Sequence, residues 1–155
     1  AFDGAVVRVL APDSAWTARQ DNPNEASLVL RVDYGDVRVL LTGDAEMGEE
    51  GWMVDRYRND ELQADVLKLG HHGSSTSSTS AFLDRVRPRV ALVSVGADND
   101  YGHPSPAVLQ DLDARGVHVL RTDDDGSIVL RTDGTTIDLT TQDGRWHSLP
   151  ASRRR

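Results

Sequence analysis

The chain has five histidines in 155 residues, and two of them are adjacent, in the stretch VLKLGHHGSSTSSTSAFLDRV at residues 66–86. Imidazole is the commonest side-chain metal ligand. Successive side chains at a strand end point in different directions, so at most one of His71 and His72 can share the buried face. Gly70 and Gly73 flank the pair and give the backbone room to turn. The hydroxyl run Ser74, Ser75, Thr76 and Ser77 follows and leads into a helix start, where free N–H groups and the helix dipole favour an anion. A metal ligand followed at once by an anion-binding helix start suits a phosphoester site. By composition alone, the same run also suits a capped helix and a solvated loop.

Two further segments could join this chemistry. Asp44 follows the apolar run ending in LLTG, where it can serve as a helix N-cap or as a metal ligand. His103, in YGHPSP at 101–106, stands before a helix; it can act as a ligand, a phosphate contact or a general acid, or lie exposed. His118 alternates with apolar residues in VHVL and reads as structural, and no role is assigned to His147. The carboxylates of DNDYG and TDDDG lack the EF-hand spacing and are explained by turn chemistry. With no cysteine in the chain, any metal must be held by His and carboxylate.

These residues need a scaffold, and the sequence supplies an alternating one. Strands are expected over 4–12, over 27–44 as a hairpin turning at YGD, and over 64–70 and 89–96. Helices are expected from 45 to about 58, over 78–88, and over 105–116, where Ser105 caps and Pro106 takes the first turn. Residues 13–25 read as a loop. The segments VHVLRT and GSIVLRT read as strands joined by the turn DDDG, with TTIDLTT as a third, and 146–155 as a frayed tail after a domain spanning 1–145. Alternating strands and helices favour a layered α/β fold, whose ligands gather at the carboxyl ends of the strands. The tips of three successive strands carry Asp44, the His71–His72 pair and the loop to His103.

The net charge of −8 argues against coating duplex nucleic acid by charge alone. Lys68, the single lysine, is assigned no mechanism. No apolar run approaches the ~20 residues needed to span a membrane. The first residue is Ala, as expected for a piece of a longer polypeptide.

Taken together, LLTGD, LKLGHHGSSTSS, YGHPSP and RTDDDGSI resemble the C-terminal half of a metallo-β-lactamase-fold hydrolase, and within it the hydrolase domain of the ComEC family of competence DNA-uptake proteins. The resemblance covers roughly residues 5–140. It implies an αββα sandwich with one or two divalent ions, zinc or manganese, at the sheet edge. Asp44 would be the metal-bridging carboxylate and His72 a metal ligand. His71 would be a further ligand or catalytic neighbour, His103 a catalytic or substrate group at the rim, and residues 74–77 substrate contacts. The implied activity is phosphodiester hydrolysis of DNA, on the extracytoplasmic face of a membrane protein. The alternatives are hydrolysis of a lactone, thioester or phosphocholine ester, or a non-catalytic assembly module. The family's His-x-His-x-Asp-His motif is missing, and Ala11 stands where some relatives carry a further histidine. The implied partner is therefore the N-terminal half of the domain, or a self-associating copy covering the open sheet face.

Overall fold

The computed structural model describes residues 3–152. A six-stranded sheet carries the fold, in the order β1 (Val6–Ala11), β2 (Val29–Tyr34), β3 (Val37–Leu41), β4 (Val66–Lys68), β5 (Val90–Val93) and β6 (His118–Arg121). The first three strands run antiparallel as a meander, whereas β3 to β6 are mutually parallel. A separate antiparallel sheet holds β7 (Val129–Thr132), β8 (Thr136–Thr140) and β9 (Trp146–Pro150).

The parallel strands are apolar at consecutive positions because both of their faces are covered. Leu40, Leu67 and Ala91 point to one side, into a core with Met53 of α2 (Met47–Arg56), Leu62 of α3 (Asn59–Leu62), Phe82, Leu83 and Val86 of α4 (Ser80–Val86), and Leu112 of α5 (Pro106–Ala114). Val37, Val66, Val90 and Leu120 point to the other, against Ile137 and Leu139 of β8. Fully burying one of these large side chains contributes about 1.5–3 kcal/mol. The result is a helix–sheet–sheet stack, in keeping with the expected α/β class.

The second core thins toward β1. There Val7 and Val9 are exposed on an edge strand that, among the described residues, pairs only with β2. The sheet face that β7–β9 protect beneath β4–β6 is therefore open at β1. No helix among the described residues is long and apolar enough to cross a membrane.

Several expectations shift. Residues 13–25 are not all loop: Asp13 caps the short α1 (Ser14–Thr17) by accepting the Trp16 amide, and Pro23–Ala26 forms a 3-10 turn. The DDDG segment is a helical turn, α6 (Thr122–Asp125), and it passes the chain from one sheet to the other rather than closing a hairpin. Residues 146–150, expected to fray, form β9 against β8. The Ser152 amide then donates to Asp65 at 2.9 Å, and residues 153–155 lie outside the described residues.

Candidate metal centre

Register places the candidate residues on one edge. Leu41 pairs with Lys68 and Lys68 with Leu92, so β3, β4 and β5 end side by side. The chain leaving β3 turns at once: the buried Thr42 hydroxyl donates to the Lys68 carbonyl at 2.7 Å, and the Ala45 amide returns to the Thr42 carbonyl. The turn leaves the Asp44 carboxylate half exposed at the rim. Asp44 is not the helix cap, because α2 begins at Met47 and Glu46 occupies the N-cap position.

The turn after β4 is more constrained. His71 (φ 45°, ψ 47°) and His72 (φ 56°, ψ 23°) both adopt the left-handed conformation. For non-glycine residues this costs on the order of 1–3 kcal/mol each, and such strain clusters at functional sites. Surrounding bonds hold it in place: the His71 amide donates to Gly43, the Ser74 amide to His71, and the Ser77 hydroxyl to the Gly70 carbonyl at 2.7 Å. The flanking glycines are required by close approach. A Cβ at Gly70 would sit 2.5 Å from the Ala45 carbonyl oxygen, and one at Gly73 2.7 Å from Pro104 Cβ.

The strained turn aims the two rings differently. His72 Nδ1 lies 2.6 Å from the Ser94 carbonyl oxygen, which can only accept, so Nδ1 carries the proton. In the neutral ring the lone pair of Nε2 then faces outward, 3.6 Å from Asp44 Oδ1. Two electron-rich atoms facing each other at that distance call for a cation or a proton between them. The distance is within the span of two metal–ligand bonds of about 2.0–2.2 Å each, and a second ring nitrogen held by a backbone carbonyl is the usual support of a metal-bound histidine.

His71 Nδ1 is buried, with Glu46 Oε1 at 2.9 Å as its nearest acceptor but off the line of a good hydrogen bond. Asn22 and Asn24 hold Glu46 through their side-chain amides, each at 3.1 Å. The His103 ring centre is 5.5 Å from that of His71. Burial, and then the proximity of His71 and His72, push its imidazole below the ordinary histidine value. Asp44, His71, His72 and His103 thus converge.

The hydroxyl run is disposed differently. Ser74 and Ser77 are buried, and their hydroxyls bond within the loop, Ser74 to Thr76 and Ser77 to the Gly70 and Ser74 carbonyls. Ser75 is exposed and Thr76 half-buried. At the helix start beyond them, the Ser78 and Thr79 amides already donate to the Glu50 carboxylate, at 2.6 and 2.8 Å. The anion that this helix start invites is one of the protein's own side chains.

Two participants carried no recognisable pattern in the sequence. Lys68 Nζ donates to the Gly43 carbonyl at 2.6 Å and stands 4.0 Å from Asp44. Burial pushes its ammonium below the usual lysine value, against the opposing pull of Asp44. Glu46 sits in an acidic helix start like any other. Among the described residues no set of three or more His, Cys, Asp or Glu side chains forms a complete metal site. Asp44 and His72 therefore fit a divalent ion as part of its ligand shell, and a tight site needs ligands from elsewhere.

Comparison with known proteins identifies the family of the chain. Residues 20–97 match the family described as the Metallo-beta-lactamase superfamily. The chain is 40% identical over 123 residues to ComE operon protein 3 of Bacillus subtilis, covering 79% of this chain and 15% of that protein. It is 39% identical over 127 residues to Competence protein ComA of Neisseria gonorrhoeae, covering 82% and 18% respectively. Identity to Recombination protein 2 of Haemophilus influenzae is 39% over 111 residues, covering 72% and 13%. The chain thus spans less than a fifth of the length of each of these relatives.

Proposed function

Because the chain belongs to the metallo-beta-lactamase superfamily, we propose that it is the C-terminal half of a metal-dependent phosphodiesterase domain acting on DNA during uptake. The names of its competence relatives support the setting. The observation that carries the chemistry is the His72 Nε2 lone pair, fixed by the Ser94 carbonyl, facing the Asp44 carboxylate at 3.6 Å.

Asp44 and His72 would hold a zinc or manganese ion, with His71 beside it; such an ion lowers the pKa of a water and draws negative charge from a phosphoryl oxygen. The remaining ligands come from a His-x-His-x-Asp-His half supplied upstream in the same polypeptide or by another chain. Around that ion the chain's own residues position the reaction. Ser94 holds the His72 tautomer, and Glu46 steadies His71. His103, biased toward its neutral form, is placed to accept or deliver a proton at the rim. Lys68 braces the Asp44 turn through the Gly43 carbonyl.

The open face at β1 is where the other half would dock. The test is hydrolysis of bis-p-nitrophenyl phosphate by a polypeptide carrying both halves, with manganese or zinc, against a lactone and a thioester. We expect metal-dependent phosphodiester cleavage that Asp44→Ala or His72→Ala abolishes. Full activity in both variants would remove the reading, and selective lactone or thioester cleavage would replace its substrate class.

A further inference from the structure

Beside the His72 ring lies an open cavity of about 310 Å³. His72, Ser94, Asn99, Tyr101, His103 and Thr122 help to line it, and no Arg or Lys does. Tyr101 is 83% exposed, the most exposed of the large apolar-bodied side chains among the described residues. Its ring lies nearly parallel to His103, with centroids 5.9 Å apart and planes 19° apart. The two rings therefore lie offset from one another in nearly parallel planes, and the Tyr101 ring stays open to solvent. The loop that carries it is pinned, since Asn99 donates to the Gly96 and His103 carbonyls and accepts the His103 amide.

A strand of nucleic acid can be held by charge on its phosphates or by stacking on its bases. The first is ill served by a chain of net charge −8 and a cavity without basic side chains. The second needs a rigid aromatic face within a nucleotide's reach of the reacting phosphodiester, and bases in a duplex do not offer theirs.

We infer that the exposed Tyr101 ring, flanked by the nearly parallel His103, is a stacking platform for one unpaired nucleobase of single-stranded DNA, beside the phosphodiester placed at Asp44 and His72. The inference rests on the phosphodiesterase reading for its substrate, but the platform's binding does not need the metal. Base–aromatic stacking tolerates any base, so the platform selects strandedness rather than sequence.

The test is binding of a labelled oligothymidylate by fluorescence anisotropy in EDTA, using the full chain. The strand should bind more tightly than a duplex of the same length. Tyr101→Ala should weaken strand binding roughly tenfold, Tyr101→Phe should retain it, and duplex binding should not move. An oligomer with abasic sites should bind the native chain as weakly as the intact oligomer binds Tyr101→Ala. Equal binding by Tyr101→Ala and the native chain, or equal binding of abasic and intact strands, overturns the platform. If binding follows the expected pattern while the two-half polypeptide cleaves no phosphodiester, the platform stands and the catalytic reading falls.

Discussion

Three glutamates under α2 and the aspartate at the strand edge behave in opposite ways. Under α2, Glu25, Glu49 and Glu50 are turned inward and bonded to backbone amides: Glu25 takes the Gly48 and Glu49 amides, Glu49 the Ser27 amide, and Glu50 the Ser78 and Thr79 amides. At the strand edge, Asp44 is half exposed and faces His72 Nε2 at 3.6 Å. The first group answers the fold's own amides, with Glu49 Oε1 left buried and without a partner among the described residues; the second turns its carboxylate to an imidazole at the rim. A carboxylate whose oxygens are met by amides serves the structure, whereas one turned to an imidazole at the rim is free to serve as a ligand.

Stability measurements should separate the groups. Glu50→Ala strands one buried and one part-buried amide and should lower stability by about 3 kcal/mol, read by urea denaturation. Loss of less than about 1 kcal/mol would mean that the α4 start does not depend on this carboxylate.

Glu49 adds a pH signature. Burial, with Glu25 nearby, raises its carboxyl to about 7 against the lowering effect of the Ser27 amide. Raised in the folded state, it contributes stability that is complete below its unfolded value of 4.5 and lost as pH climbs through about 7. Stability should therefore fall by about 2–3 kcal/mol between pH 4.5 and 8 from this group. Glu49→Gln should flatten that part of the profile; an unchanged slope in the variant would assign it elsewhere.

The smallest effect belongs to the open group. Asp44→Asn should change stability by no more than about 0.5 kcal/mol, because the side chain is half exposed and answers no amide. A loss as large as that of Glu50→Ala would erase the contrast.

The same contrast marks how far the sequence can be read. Asp44, His71, His72 and His103 are legible because each follows a short apolar run, and parallel strands bring such tips together. The strands themselves announce their burial through Val39–Leu41 and Val90–Val93. Glu50 is not legible: EE in a helix start looks like a solvated face, and only the return of α4 buries it. Ser74 and Ser77 mislead for the reverse reason, since hydroxyls suggest a ligand but here tie a strained turn to its own carbonyls. Lys68 and Glu46 have no pattern at all, because their roles arise from tertiary contacts with Gly43 and His71. The strand β9 is hidden by brevity and by the Arg-rich end beyond it, although WHSLP alternates as a half-buried strand does.

The most direct measurement is isothermal titration of zinc or manganese into the purified chain and into its His72→Gln and Asp44→Asn variants. The account predicts saturable binding by the native chain, weakened at least tenfold by either substitution while both variants keep the native unfolding midpoint. Binding that both variants retain unchanged would contradict it.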